Sequence, residues 1–193
     1  MKPVQMFKII LIGESGVGKT SLINRYVENS FDPVYKSTIG CDFLSKNVQY
    51  EGVEYVLQIW DTAGHEKFSS MISSFYRGSD GAFVVFDVTD TASFSNLDSW
   101  INEFSGSINN DVPIIVCGNK TDLENRCVPT ASAQQWCDLR NYTYVESSAK
   151  SSAGVTDMFA TIVKLIVDNK KGDDVSEDLK PIAINVKPKN DCC

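Results

Sequence analysis

The eight residues Gly13-Glu14-Ser15-Gly16-Val17-Gly18-Lys19-Thr20 fit the spacing G-x-x-x-x-G-K-[ST]. A short apolar run, Phe7 to Ile12, precedes them. Leu22, Ile23, Tyr26 and Val27 follow at helical spacing. Strand, glycine-rich turn and helix is the context this spacing requires. Glycines let the backbone wrap closely around phosphate oxygens, and loop N–H groups with the helix N-terminus hold anionic oxygens. Lys19 is placed to reach terminal phosphates, and the Thr20 hydroxyl to ligate Mg²⁺. A loop of this kind commits the chain to a sheet whose carboxyl edge carries the chemistry.

The rest of the chain agrees. Cys41 to Tyr50 and Val53 to Trp60 flank Glu51-Gly52, a hairpin signal. Gly81 to Val88 and Val112 to Cys117 are apolar enough to be buried on both faces, as parallel strands are. Between them Phe94, Leu97, Trp100, Ile101, Phe104 and Ile108 mark one helix face. Ala131 to Arg140 reads as a weaker helix behind Pro129, and Tyr144 to Ser147 as a short strand. Val155, Met158, Phe159, Ile162 and Ile166 line one side of a last helix. This alternation predicts an α/β fold: a mostly parallel, six-stranded sheet with one antiparallel strand and helices on both faces. From Gly172 the composition shifts to mixed charge, two prolines and no aromatic residue. The expected division is a globular domain over 6–171 and a flexible tail over 172–193.

Composition excludes other classes. The 193 residues hold 25 acidic and 18 basic side chains, a net charge of −7 that repels phosphate polymers and argues against nucleic-acid partners. No apolar run approaches the length of a membrane span. The opening Met1-Lys2-Pro3 has no secretory apolar region, and residue 2 is not the glycine that N-myristoylation needs. The six cysteines form no C-x-x-C pair, and His65 is the sole histidine, so no zinc pattern exists. A reducing cytosolic setting is expected, with Cys41, Cys117, Cys127 and Cys137 as small apolar fillers.

The nucleotide base is addressed by Asn119-Lys120-Thr121-Asp122, which follows a buried strand. Guanine presents two adjacent donors, N1–H and the exocyclic amine, and a carboxylate such as Asp122 can accept both. Adenine offers no such pair, so a mismatch leaves a buried charge unpaired. An ATPase or a nucleotide kinase would share the first loop; this run argues against both. Asp61-Thr62-Ala63-Gly64 ends the second hairpin strand. An acid there can hold a Mg²⁺ shell, and the Gly64 amide can approach a γ-phosphate. Thr38 is a candidate second hydroxyl ligand.

Taken in order, Gly13–Thr20, Thr38, Asp61–Gly64, Asn119–Asp122 and Ser148-Ala149-Lys150 resemble the five nucleotide motifs of Ras-like small GTPases. Residues 39–43 (IGCDF), 57–68 (LQIWDTAGHEKF), 75–81 (FYRGSDG) and 84–90 (VVFDVTD), with the terminal Cys192-Cys193, resemble the Rab family. The resemblance covers about residues 6–168 and the terminus. It implies the P-loop NTPase fold of a Ras-like G domain and a GTPase that cycles between GTP and GDP with Mg²⁺. By resemblance Ser15, Gly16, Val17, Gly18, Lys19, Thr20 and Ser21 line the phosphates. Phe31 packs on the base edge and Tyr35 lies over the phosphates. Thr38 belongs to a first switch and Gly64 onward to a second. Asn119 and Lys120 flank the base beside Asp122, with Ser148, Ala149 and Lys150 opposite, the Ala149 amide meeting the guanine carbonyl. Thr20, Thr38 and Asp61 hold the metal. Phe43, Trp60 and Phe75 form an effector-facing aromatic triad. The implied partners are an exchange factor, a GTPase-activating protein, a GDP-dissociation inhibitor or escort protein, effectors, and a membrane reached through prenyl groups on Cys192 and Cys193. The expected place is the cytoplasmic face of an intracellular membrane, in exchange with the cytosol, in vesicle traffic.

Two departures stand out. Phe75 replaces the tyrosine usual in the triad. His65 stands where the family carries a water-orienting glutamine, which predicts intrinsic hydrolysis no faster than about 10⁻⁴ s⁻¹. A binding module that stays GTP-loaded is the limiting case of that substitution.

Overall fold

The computed structural model describes residues 5–34, 36–38, 41–62, 74–109 and 111–177. Tyr35, Gly64, His65, Cys192 and Cys193 therefore lie outside the described residues. Six strands form one sheet: β1 (Gln5–Ile12), β2 (Cys41–Tyr50), β3 (Val53–Thr62), β4 (Gly81–Asp87), β5 (Ile114–Asn119) and β6 (Thr143–Glu146), in the spatial order β2-β3-β1-β4-β5-β6. β2 runs antiparallel to β3, and every other pairing is parallel. The hairpin register pairs Tyr50 with Val53. Its two-residue turn, Glu51 and Gly52, has φ of 50° and 75°, the positive pair that matches the twist of the flanking strands.

Strand alternation builds a core on each face. Phe7, Ile9 and Leu11 of β1, with Phe83 and Val85 of β4, point to one side. There they meet Leu22, Ile23 and Tyr26 of helix α1 (Lys19–Glu28) and Met158, Phe159 and Ile162 of a C-terminal helix (Val155–Glu177). The Tyr26 and Phe159 rings stack at 3.8 Å. Ile10 and Ile12, with Ala82, Val84 and Phe86, point to the other side, against Leu97, Trp100, Ile101 and Phe104.

The single helix face expected from Phe94 to Ile108 is instead divided: Phe94 lies on one helix, Leu97, Trp100, Ile101 and Phe104 on a second, and Ile108 beyond both. Helix α2 (Thr91–Ser95) is capped by the Asp90 carboxylate, which accepts from the Ala92 N–H at 2.9 Å, and α3 (Leu97–Ser105) starts afresh after Asn96. The Asn96 amide donates to Glu14 Oε1 at 2.8 Å, so the break ties this helix pair to the first loop. Helix α4 (Thr130–Asp138) follows Pro129, and the C-terminal helix is α5; it continues through Gly172 to Glu177, past the compositional boundary. Cys117 and Cys137 are buried fillers as expected, but Cys127 is exposed, its thiol directed to the Asn125 carbonyl.

Candidate functional site

The carboxyl ends of β1, β3, β4, β5 and β6 deliver Gly13, Thr62, Asp87, Asn119 and Ser147 to one edge of the sheet, and a cavity of about 400 Å³ opens there. Of the residues singled out from the sequence and described here, Ser15, Gly16, Gly18, Lys19, Thr20, Ser21, Phe31, Thr38, Asn119, Lys120, Asp122, Ala149 and Lys150 line it. Val17, Asp61 and Ser148 sit behind the lining. Val17 is core, 1% exposed.

At one end, Lys19 is buried, and its ammonium donates to the Gly13 and Glu14 carbonyls, both at 2.8 Å. Burial lowers its pKa to about 8, against the opposing pull of Asp61 and Glu14. The Thr20 hydroxyl donates to Asp61 Oδ2 at 2.6 Å and lies 2.8 Å from the Thr38 hydroxyl, which is itself 3.3 Å from that carboxylate oxygen. The other carboxylate oxygen, Asp61 Oδ1, is buried with no hydrogen-bond partner. Burial raises the Asp61 pKa, against the hydroxyl bonds and Lys19. An orphaned carboxylate oxygen beside two hydroxyls is an all-oxygen donor set, the kind a hard cation such as Mg²⁺ takes. One carboxylate suffices for such a site when phosphates and waters complete it.

The other end is bonded within itself. Asn119 is 1% exposed. Its amide donates to the Val17 carbonyl at 2.9 Å, and its Oδ1 accepts from the Ala149 N–H and the Ser147 hydroxyl, both at 3.3 Å. One side chain thus joins the phosphate loop to the loop after β6. Gly18, with φ 99°, permits that joint: a Cβ would stand 2.4 Å from the Asn119 Nδ2. The Asp122 side chain is 15% exposed, with Oδ1 accepting from the Ser148 hydroxyl at 2.6 Å and Lys150 Nζ 3.8 Å from Oδ2. Lys120 pairs with the buried Asp87 at 2.7 Å. A carboxylate fixed in this way can accept two parallel donors from a planar ring.

Asn24, Asp32, Pro33, Val34, Lys36, Ser37 and Leu123, not singled out from the sequence, also line the cavity, as does Thr62 of the Asp61–Gly64 run. Asn24 was findable, being one helical turn beyond Thr20; Leu123 merely follows Asp122. Away from the cavity, Phe43 stacks on Trp60 at 5.1 Å, and Phe75 lies 5.8 Å from Trp60. Among the described residues no helix is long and apolar enough to cross a membrane.

A family model described as "Ras family" matches residues 8–168. The rat Ras-related protein Rab-9A is 43% identical over 195 residues, 97% of each chain. The Ypt/Rab-type GTPase ypt7 of Schizosaccharomyces pombe is 42% identical over 200 residues, spanning all of this chain and 98% of its own. The Ras-related protein Rab7 of Cenchrus ciliaris is 45% identical over 173 residues, 86% of this chain and 84% of its own.

Proposed function

The chain belongs to the Rab family of Ras-like small GTPases, and we propose that its cavity holds GTP or GDP with Mg²⁺ to run a membrane-traffic switch that turns over slowly without help. The observation that carries this reading is the cavity's two unlike ends, a lysine with an orphaned carboxylate oxygen at one and the Asp122 carboxylate at the other. Loop N–H groups from Ser15 to Ser21 receive phosphate oxygens, and Lys19 supplies the matching charge. The Thr20 and Thr38 hydroxyls and Asp61 would hold Mg²⁺, whose part is to neutralise phosphate charge. Asp122 accepts the two guanine donors, Asn119 and Lys120 flank the ring, and the Ala149 amide meets the guanine carbonyl. Phe31 packs on the base edge, and Tyr35 covers the phosphates. Thr38 and Gly64 contact the γ-phosphate end, so its loss releases both segments and changes what partners see.

Effectors meet those segments and the Phe43-Trp60-Phe75 face. An exchange factor reloads the site, and an activating protein speeds its discharge. Prenyl groups on Cys192 and Cys193 anchor the chain to an intracellular membrane, and a GDP-dissociation inhibitor or escort protein carries it through the cytosol. Residues 168–193 hold six acids and five bases, so no polybasic patch supplements the lipids. Stable anchoring then needs both chains, because one lipid holds only marginally.

His65 sets the slow turnover. A glutamine amide offers a donor and an acceptor on a flexible arm; imidazole offers the same pair on a rigid ring, and loses its acceptor when protonated. Single-turnover GTP hydrolysis of wild type and His65→Gln, at several pH values, tests this. The glutamine variant should be faster, with the wild-type rate varying across the range where histidine titrates. A glutamine variant no faster at any pH would show that His65 does not limit the reaction.

A further inference from the structure

Arg25 sits in the last turn of α1, half-buried and outside the cavity lining. Its fork has three uses. Nε donates to the Ala149 carbonyl at 2.8 Å and Nη2 to the Lys150 carbonyl at 3.3 Å. Nη1 donates to the Asn29 carbonyl at 2.9 Å and to Asn29 Oδ1 at 3.2 Å, which ties the fork to the end of its own helix. We propose that Arg25 is a positioning residue for the base end of the cavity, setting the peptide planes after Ser148 and, through them, discrimination among purines. The proposal rests on the reading that this end holds the base.

All described peptide bonds are trans, so each C=O and the following N–H point in opposite directions. With the Ala149 carbonyl held by Arg25, the Lys150 N–H is directed away from the guanidinium. With the Lys150 carbonyl held, the Ser151 N–H is directed likewise, and it donates to the Ser148 hydroxyl at 3.0 Å. That hydroxyl donates in turn to Asp122 Oδ1 at 2.6 Å. The peptide before Ala149 is fixed separately, its N–H on Asn119 Oδ1. Three successive peptide units are thus held, two of them by one side chain 124 positions away in sequence. The planar fork makes this possible; a lysine ammonium on the same helix could serve the loop only as a point charge. Loosening the fork frees two peptide planes and slackens the Ser148–Asp122 bond at the far end of the chain.

The test uses the full-length protein and two nucleotides, GDP and IDP. Inosine lacks the exocyclic amine of guanine, so the ratio of their dissociation rates reads Asp122's hold on that amine. In Arg25→Ala, GDP dissociation should speed up about tenfold, with the GDP/IDP ratio narrowing toward that of Asp122→Ala. Arg25→Lys keeps the charge without the fork and should narrow the ratio less; it carries the test if the alanine variant fails to fold. Equal acceleration of both nucleotides, ratio unchanged, would make Arg25 a general structural tie and overturn the proposal. So would rates within about twofold of wild type in both variants. A wild type that does not distinguish GDP from IDP, or an Asp122→Ala protein that still does, would overturn the base-end reading itself and this inference with it.

Discussion

At the base end of the cavity, Asn119, Lys120, Asp122 and Ser148 all have partners within the protein; at the phosphate end, Asp61 keeps a buried oxygen with none and Lys19 is held where burial disfavours its charge. The first end is fixed by bonds within the protein. The second is electrostatically incomplete, and on the proposed reading anionic phosphates and a cation would complete it. On the proposed reading the phosphate end would supply affinity, because binding there relieves destabilised groups, and the base end selectivity, because its donors and acceptors are set by the protein.

The largest effect is expected at Lys19. Lys19→Met should weaken GTP by about 1,000-fold, the scale of stripping one partner from a buried charge pair. The ligand-free protein should melt no lower than wild type, since the substitution also removes a poorly solvated charge. Calorimetric titration and a thermal melt read the two effects separately. A variant that loses stability and affinity together would mean that Lys19 is structural, and that the phosphate end is no less complete than the base end.

The same group gives a pH signature, measured with Mg²⁺ chelated. Free Lys19 titrates near 8, below its ordinary 10.5. Phosphate favours the charged form, so nucleotide binding takes up a proton wherever free Lys19 is neutral. GDP affinity should hold below pH 8 and fall above it. Stability of the ligand-free fold should move the other way between pH 8 and 10.5, rising with pH, because the unfolded chain binds the proton more tightly there. Affinity flat to pH 10 would contradict the placement of Lys19.

The smallest effect belongs to the scaffold under the base end. Burial would raise the Glu146 pKa, but donations from Arg126, Thr130 and Tyr144 outweigh it and hold the carboxyl below its ordinary 4.5. Its contribution is present above 4.5 and is lost as pH falls through the depressed folded value. The group is partly solvated, so the effect is about 1 kcal/mol, or a melting shift of roughly 2–4 °C. Glu146→Gln should lower the melting temperature at pH 7 and flatten its acid limb, while leaving the GDP/IDP ratio unchanged.

Much of this was legible from residue order. The hairpin follows from Glu51-Gly52 between alternating strands, and the buried parallel strands from their unbroken apolar runs. The phosphate loop and Asn119–Asp122 carry their chemistry in consecutive residues. What was not legible depends on partners distant in sequence. Apolar spacing runs through Asn96 without a flaw, so the break between α2 and α3 appears only when Glu14 is seen to take the Asn96 amide. Arg25 reads as a surface residue on an amphipathic helix until Ala149 and Lys150 arrive beside it. Gly172 weakens a helix without ending it, and α5 continues to Glu177. Cys127 is apolar enough for a core but falls in a loop that leaves it exposed.

If the fixed Asp122 carboxylate chooses the base, exchanging it for an amide should change which base is chosen. Xanthine carries a carbonyl where guanine carries its amine. Asp122→Asn presents an N–H₂ donor to that carbonyl and keeps an acceptor for N1–H. Competition binding of GTP and XTP to wild type and Asp122→Asn should show GTP weakened by about 100-fold and XTP strengthened, with ATP poor throughout. Unchanged GTP affinity in the variant, with no gain for XTP, would contradict the account.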